Sequence, residues 1–350
     1  MRTIRDEKIK NKTVLMRVDY NVPLKDGKIT DDLRIRASLP TLELLRKNGA
    51  RRIILISHLG RPEGRDKSLS LKPVAAALNK LVGNVSFVDD VSGPDVEAAV
   101  NKLPAGGILL LENLRFFPGE KANLAEFIRE IIESTGAEVY VQDGFAVVHR
   151  AHASTDAVKE FLPVYAGLLV ESEVKNLTAA LEHPARPVLV IIGGAKVEDK
   201  QPLIDKFAHL ADNICVGGKI AADGYKSKSA KIKVAEDFDE DKTGAKLDIG
   251  PLSTGELAGL ITDANTIIWN GVLGLVEDPA YATASTIAAE LIGEKRGATT
   301  IICGGDTTGF VKNLMREHEH LEYSLVSTGG GAALEFLLGK ELPGLAAIEP

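Results

Sequence analysis

Short apolar runs rich in β-branched residues alternate with segments of helical periodicity along nearly the whole chain, and this alternation limits the possible folds more than any other feature. The runs predict buried strands at Thr13 to Val18, Arg52 to Ser57, Ile108 to Leu111, Glu138 to Val141, Val188 to Ile192, Asn213 to Gly217, Thr266 to Trp269 and Thr299 to Cys303. Helical spacing predicts helices at Leu39 to Lys47, Lys72 to Leu81, Asn123 to Ser134, Thr254 to Ile261 and Ala280 to Ile292. Strands without a polar face that alternate with helices are typical of parallel sheets covered on both sides.

One amphipathic helix divides this pattern into two successive units. Leu168 to Leu181 has apolar residues at helical spacing and lies between Pro163 and Pro184, which act as stops. A length of 350 residues also favours about two domains. We therefore predict an α/β protein with two doubly wound, Rossmann-like parallel-sheet domains joined by a helix and hinge. The predicted parts are an N-terminal domain (1–166), a connecting helix (167–182) and a C-terminal domain (183–338).

One stretch departs from the alternation. Gly218 to Leu247 is rich in Lys, Asp and Glu, and only Ile232 to Val234 within it resembles a strand. We interpret this stretch as mostly loop.

The composition excludes several classes of function. The net charge of −7 and the pI near 5.6 argue against a general affinity for nucleic acid. No apolar run approaches the roughly 20 residues that span a bilayer, and the N-terminus has no apolar core typical of a signal peptide. Cys215 and Cys303 each end an apolar run, which favours buried thiols in a reduced, cytoplasmic protein over a disulfide.

Charged and polar side chains follow the predicted strands of the first unit. Open α/β sheets bind ligands at this edge, and the planar guanidinium of Arg suits carboxylates and phosphates. A single Arg is most often a solvated surface charge, but several at one edge indicate a site for a small acid that bears phosphate. His149 and His152 could suggest a metal pair, yet Arg150 between them would repel a cation, so we favour the anion.

Four glycine-rich turns follow strands of the second unit and open helices or loops. Gly304 and Gly305 precede Asp306, so the turn could hold phosphate on helix amides with a magnesium ion on the carboxylate. The alternative is that Asp306 or Thr307 only caps the helix. The other turns lie at Gly193–Gly194, at Asn270–Gly271 and at Gly329–Gly331.

Two lysines accompany the turn at Gly193–Gly194. Lys196 and Lys200 are four residues apart and share a helix face, where an anion between them would offset their repulsion at the positive helix end. The alternative is that both lysines are solvated. No GxxxxGK[ST] or protein-kinase signature occurs, so a P-loop is excluded.

Nine strings, in order along the chain, resemble the phosphoglycerate kinase family. They are RVDYNVPL, DLRIRASLPT, SHLGRP, LLENLRF, HRAHAST, GGAKVEDK, WNGVLGLVE, GGDTTG and VSTGGGAALEFLLGKELPG. The resemblance implies a monomeric cytoplasmic enzyme of glycolysis and gluconeogenesis. It would interconvert 1,3-bisphosphoglycerate plus ADP with 3-phosphoglycerate plus ATP, with Mg²⁺.

The resemblance also implies roles for individual residues. The acid would be bound in the N-terminal domain by Asp19, Tyr20, Asn21, Arg34, His58, Leu59, Gly60, Arg61, Arg115 and Arg150. The nucleotide would be bound in the C-terminal domain by Gly194, Ala195, Lys196, Lys200, Asn270, Glu277, Gly304, Gly305, Asp306 and Thr307, with Asp306 as the metal ligand. The catalytic set would be Arg34, Lys196, Lys200, Gly304 and Gly305. Residues 339–350 would return to the N-terminal domain.

In-line transfer between two bound substrates needs no protein nucleophile, but it needs positioning, charge cancellation and exclusion of water. With one substrate on each domain, we expect closure about a hinge that involves the connecting helix and Gly329–Gly331.

Three features depart from the family pattern. Gln142 and Val147 stand where Asn and Thr are usual, Val272 replaces a usual Pro, and the C-terminal domain is short around 218–247. The shortening bears on adenine packing. It leaves open a kinase-like binding protein with a weakened nucleotide site, or a kinase for another small acid.

Overall fold

The computed structural model of the chain describes residues 1–348, which form two units. The first comprises Met1–Ser172 together with 341–348, and the second comprises Glu173–Lys340. The backbone therefore leaves the first unit within one helix and returns to it near residue 341. Residues 349 and 350, the end of the predicted returning segment, lie outside the described residues.

The first unit is built on a parallel sheet. Its strands are β1 (Thr13–Arg17), β2 (Leu24–Lys25), β3 (Lys28–Ile29), β4 (Arg52–Ile56), β5 (Val85–Phe87), β6 (Gly107–Leu110), β7 (Val139–Gln142) and β8 (Val164–Ala166). Strands β2 and β3 pair only with each other, and the other six form one parallel sheet in the order β5-β6-β4-β1-β7-β8. Every residue of β1, β6 and β7 is buried, as expected when helices cover both faces.

Helices of the first unit begin where proline or a turn stops the preceding strand. They are α1 (Leu33–Ala37), α2 (Leu39–Lys47), α3 (Lys72–Val82), α4 (Pro94–Lys102), α5 (Pro118–Lys121), α6 (Ala125–Thr135) and the helix that leaves the unit, α7 (Leu168–Glu182). Proline occupies the first turn of α2 to α5, where its missing N–H is not needed. Gly136 ends α6 with φ 61°, a left-handed conformation that favours glycine.

The second unit repeats this architecture. Its strands are β9 (Val188–Ile192), β10 (Asn213–Val216), β11 (Ile232–Val234), β12 (Phe238–Glu240), β13 (Lys246–Ile249), β14 (Thr266–Asn270), β15 (Thr299–Cys303) and β16 (Leu325–Val326). Six of them form a parallel sheet in the order β11-β10-β9-β14-β15-β16, and β12 pairs antiparallel with β13. In both sheets the strand order reverses next to the first strand of the unit, which is where such sheets bind ligands.

The remaining helices are α8 (Val197–Ala208), α9 (Gly218–Ala222), α10 (Pro251–Asp263), α11 (Thr283–Glu294), α12 (Gly305–Glu317), α13 (Gly331–Leu337) and α14 (Pro343–Ala346). The last of these belongs to the first unit, where the Gly344 amide donates to the Val148 carbonyl at 2.8 Å.

The predicted fold class is confirmed: the chain has two α/β units, each with a six-stranded parallel sheet. The eight predicted strands all occur, with ends that differ by one residue at most. The prediction of mostly loop for Gly218–Leu247 is wrong in part, because α9, β12 and the start of β13 also lie there. Helix α11 starts three residues later than predicted, because Pro279–Tyr281 forms a separate 3-10 turn.

Both cysteines are buried and free, as predicted. Within residues 1–348, no helix combines the length and the apolar character needed to cross a membrane.

Candidate active site

In the first unit, an ion pair joins the loop after β1 to helix α1. Asp19 is almost buried and pairs with the guanidinium of Arg34, whose side chain remains 36% exposed. Partial burial lowers the pKa of Arg34. The guanidinium therefore lies at the sheet edge with an anion on one side and access to a ligand on the other.

His58, directly after β4 and Ser57, is buried in the same edge. Its Nδ1 lies 3.1 Å from Nη2 of Arg17 and 3.9 Å from Oδ1 of Asp19. Burial, followed by the positive charges of Arg17 and Arg150, holds the pKa of His58 well below its ordinary value. The ring is therefore neutral near pH 7.

A loop network fixes the turn after β4. The Gly60 amide donates to the Asn21 side-chain oxygen at 2.8 Å, and the Gly60 carbonyl accepts from Nη1 of Arg115 at 2.6 Å. Gly60 has φ 64°, and a Cβ there would lie 2.8 Å from Leu69. Glycine is thus required for this turn.

Further cations surround the same edge. Burial and the charge of Arg61 lower the pKa of Arg150, and burial followed by Arg17 and Arg150 lowers the pKa of His152 to about 4. Arg61 is exposed, whereas Arg150 is half-buried. Positive charges held this close together repel one another, and a bound anion would offset that repulsion. The arrangement therefore suits a small anion with more than one negative charge.

Two of the predicted acid-binding side chains do not reach this edge. Tyr20 is fully buried, and its hydroxyl lies 2.8 Å from Oγ of Ser38. Leu59 is buried, and its amide and carbonyl are both bonded to Asn113. These residues support the loops through packing. The family resemblance carries these two positions along with the charged neighbours in the same motifs.

In the second unit, three glycine turns pack backbone to backbone. A Cβ on Gly193 would lie 2.1 Å from the Val272 carbonyl oxygen, and one on Gly271 would lie 2.2 Å from the Gly193 oxygen. A Cβ on Gly218, which has φ 63°, would lie 2.8 Å from the Val272 oxygen and 2.9 Å from the Gly194 nitrogen. The ends of β9, β10 and β14 can therefore meet only if these positions have no side chain.

Lys200 lies within this arrangement, whereas Lys196 does not. The Lys200 ammonium, on the first turns of α8, donates to the side-chain oxygen of buried Asn270. Burial lowers the pKa of Lys200, although Asp199 and Asp306 oppose the shift. The alternative that Lys200 is simply solvated is wrong. Lys196 is the exposed N-cap residue of α8, and its role in anion binding stays a prediction.

A cavity of about 240 Å³ opens beside these turns, and Gly194, Ala195, Glu277 and Asp306 of the predicted nucleotide set line it. The hairpin β12–β13 supplies other lining side chains, which sequence reasoning missed. They are Phe238, Lys246 and Leu247, with Nζ of Lys246 4.5 Å from the centre of the Phe238 ring. The stretch 218–247 therefore still walls the cavity.

The turn before α12 does not end in a side-chain cap. Gly304 is the N-cap with φ 88°, and no side chain accepts a hydrogen bond there. Thr307 instead accepts from the Gly271 amide at 2.8 Å, while Asp306 is exposed at the cavity. The alternative that Asp306 or Thr307 caps the helix is therefore wrong.

Asp306 could hold a magnesium ion. Among residues 1–348 no group of three or more His, Cys, Asp or Glu side chains could hold a metal by itself. Magnesium commonly uses only one or two carboxylates, with substrate phosphates and water completing its shell. One exposed carboxylate beside a cavity lined with glycine turns fits that requirement.

A buried group behind the first site is the main feature that the predicted set omitted. Arg17, Ser154 and Glu120 are all buried, and Ser154 links the other two by hydrogen bonds. The one sequence signal was an Arg inside the apolar run TVLMRV, which favours a buried and therefore partnered cation.

The fold and the site geometry are those of an α/β protein with an anion-binding site in each unit. The first unit gathers cations for a small anion, and the second has a cavity lined by glycine turns, with Lys219 and Lys246 among its other lining residues.

Comparison with known proteins specifies the family. The phosphoglycerate kinase family model matches residues 4–244 and 222–340. Phosphoglycerate kinases from Dictyoglomus turgidum and Coprothermobacter proteolyticus are 39% and 40% identical to the chain, each over 99% of it and 98% of their own length. The chain therefore belongs to the phosphoglycerate kinase family, which consists of kinases.

Solved structures agree. Phosphoglycerate kinase from Coxiella burnetii superposes with a TM-score of 0.81 at 32% identity, and that from Pyrococcus horikoshii with 0.87 at 26%, each over 99% of this chain and 98% of the other. The two sequence alignments extend over 394 and 395 positions, whereas this chain has 350 residues. Some segments of the relatives therefore have no counterpart here.

Proposed function

We propose that this chain is a phosphoglycerate kinase in activity: it transfers a phosphoryl group reversibly between 1,3-bisphosphoglycerate and ADP, with Mg²⁺, to give 3-phosphoglycerate and ATP. Its place would be glycolysis and gluconeogenesis in the cytoplasm, as a monomer. The observation that carries the proposal is that family membership coincides with charge in both units, at Arg34 in the first and at Lys200 in the second.

The first unit would bind the acid. Arg34, Arg61 and Arg150 would meet its phosphate and carboxylate, and His58 would donate one further hydrogen bond. Asp19 would hold Arg34 in place and accept from a substrate hydroxyl. Asn21 and Arg115 would keep the Gly60 turn in shape, as their contacts with Gly60 suggest.

The second unit would bind the nucleotide. The amides of Gly304 and Gly305 at the start of α12 would donate to phosphate oxygens. Lys200 is close enough to Asp306 for their charges to interact. Glu277 at the cavity suits a ribose hydroxyl. Magnesium bound at Asp306 would neutralise charge on the nucleotide phosphates.

The proposed reaction needs no covalent bond between the substrate and the protein. A carboxylate oxygen of 3-phosphoglycerate displaces ADP from the γ-phosphorus in line, and the reverse reaction returns the group. Arg34 would stabilise the equatorial oxygens from the acid side, and Lys200 from the nucleotide side. The two substrates must meet without water between them, so closure about α7 and Gly329–Gly331 belongs to the proposal.

The test is a coupled assay with 3-phosphoglycerate, Mg-ATP and a reducing partner enzyme. Wild type is expected to turn over, and Arg34→Ala is expected to lose at least about a hundredfold in kcat. Arg36→Ala is the matched control, because Arg36 lies two residues away on α1, is exposed, and pairs with Asp32. Equal loss in both variants would remove Arg34 from the proposed site.

The same assay separates the other two readings. Nucleotide binding without turnover would indicate a binding protein, and turnover with a different acid would indicate a different kinase. The binding-protein reading is not favoured by the comparisons. We place the family segments that are missing here around residues 218–247, and a normal affinity for Mg-ADP would show that the remaining wall suffices.

A further inference from the structure

Arg17, the last residue of β1, is buried where no ligand can reach it. Its side chain is 1% exposed, and its guanidinium donates to the Val18 carbonyl at 2.7 Å and to Oγ of Ser154 at 3.0 Å. Nη1 also donates to the Ile56 carbonyl at 3.4 Å, and Nη2 contacts Nδ1 of His58 at 3.1 Å. Arg17 is therefore fixed on several sides, and its hydrogen bond to a residue of the acid site is the one to His58.

A buried carboxylate keeps this guanidinium in place. The Ser154 hydroxyl donates to Oε1 of Glu120 at 2.6 Å, and the Ser154 amide donates to Oε2 at 3.1 Å. Arg17, Ser154 and Glu120 thus form one hydrogen-bonded chain, and the charge of Glu120 opposes the fall that burial causes in the pKa of Arg17. A buried charge that is paired and bonded in this way is held rigidly.

The contact with His58 determines where the imidazole proton lies. A guanidinium has five N–H donors and no acceptor, so Nδ1 of His58 must accept and carries no proton. The proton of the neutral ring is then on Nε2. Oδ1 of Asp19 is 3.9 Å from Nδ1, too far to compete by accepting a hydrogen bond from it.

The charges around the ring favour the neutral state. Arg17, Arg150, Arg34 and His152 all face His58 and disfavour a second proton, and Asp19 is the carboxylate nearest to Nδ1. Within residues 1–348, the side chain of His58 makes its hydrogen bond through Nδ1 and not through Nε2. Nε2–H is therefore free to donate to a ligand.

We propose that Arg17 is a positioning residue that holds His58 in the Nε2–H tautomer, so that the ring donates one directed hydrogen bond to the acidic substrate. The identity of that substrate rests on the proposed function, whereas the tautomer does not. Removal of Arg17 would free Nδ1 to take a proton facing Asp19.

The tautomer can be measured by two-bond ¹H–¹⁵N spectra of histidine-labelled protein without substrate, with His58 assigned through His58→Gln. In wild type we expect a bare Nδ1 and a protonated Nε2, unchanged across about pH 5–8. In Arg17→Met we expect the ring to titrate within that range and Nδ1 to become protonated. Wild-type protein with a protonated Nδ1, or Arg17→Met with an unchanged ring, would overturn the proposal.

Arg46→Met is the matched control. Arg46 also lies in the first unit and donates to three backbone carbonyls, of Val82, Gly83 and Gly106, so its loss also removes a partly buried guanidinium. Its contacts do not include His58, and we expect the His58 spectrum to stay as in wild type. If Arg17→Met does not fold, Ser154→Ala breaks the same chain and is expected to produce a smaller change in the same direction.

Kinetics add a second readout. Arg17→Met is expected to raise KM for the acid about ten- to hundredfold and to leave KM for Mg-ATP unchanged. Because the spectra need no substrate, an inactive protein with the expected tautomer would refute the function alone. An active protein with the other tautomer would refute the role of Arg17 alone.

Discussion

The two units place their candidate sites at the same edge of similar sheets but build them from different parts of the chain. In the first unit the site consists of side chains, several of them buried and either charged, such as Arg115 and Asp19, or polar, such as His58. In the second it consists mainly of backbone, where Gly193, Gly218 and Gly271 leave no room for a Cβ. We expect changes in the first unit to act through charge and changes in the second to act through packing.

The largest expected effect is that of Gly193→Ala. Its Cβ would meet carbonyl oxygens of Gly271 and Val272, which are backbone atoms that cannot turn away. We expect a loss of about 4 kcal/mol or more in unfolding free energy, measured with urea, together with the loss of Mg-ADP binding. A loss below about 1 kcal/mol would show that the turns can separate, and the contrast between the units would fail.

The next effect is a dependence of stability on pH in the first unit. Burial raises the pKa of Asp143 to about 8, above its value in the unfolded chain, so the folded state holds the proton more tightly. The resulting stability is complete below about pH 4 and is lost as pH rises towards 8. Between pH 5 and 8 we expect wild type to lose roughly 3 kcal/mol relative to Asp143→Asn.

Urea unfolding at several pH values checks this difference. Asp143→Asn keeps an oxygen for the Leu169 amide, which donates to Oδ1 at 3.0 Å. Asp95→Asn, at an exposed position on α4, is the control, and its unfolding free energy is expected to depend on pH as that of wild type does. If the unfolding free energy of Asp143→Asn changes with pH in the same way as that of wild type, the carboxyl is not protonated in the folded protein.

A smaller effect separates the ligands of the two units. Lys200→Ala is expected to weaken Mg-ADP binding about ten- to thirtyfold and to leave 3-phosphoglycerate binding unchanged, because Lys200 belongs to the second unit only. Calorimetry with each ligand measures both. Lys206→Ala, exposed on the same helix, is the control. Equal weakening of both ligands would count against the assignment of one ligand to each unit.

The smallest expected effect is that of replacing a glycine that makes no close backbone contact. Gly259 lies inside α10, is exposed, and a Cβ there would have open space. Gly259→Ala is expected to stabilise the protein by about 0.5–1 kcal/mol, since alanine favours helix. Thermal unfolding measures this, and a destabilised variant would mean that glycine in this unit is required beyond its turns.

Much of the fold was predictable because its strands are apolar on both faces and its helices have clear periodicity. The short strands β5, β8 and β16 were missed, since two or three residues do not show a period. The hairpin β12–β13 was missed because charged residues interrupt both strands, so neither contains an apolar run.

The site was predictable in part. Residue types after strand ends indicated which loops meet, but not which side chains turn inwards, as Tyr20 and Leu59 do. The partners of Arg17 could not be inferred either, because Ser154 is 137 residues away along the chain and reaches it only through the fold.

Amide hydrogen exchange with each ligand alone tests the central claim most directly. 3-Phosphoglycerate is expected to protect the turns after β1, β4 and β7, and Mg-ADP the turns after β9, β14 and β15. Protection of both sets by one ligand, or of the opposite set by each, would contradict the account.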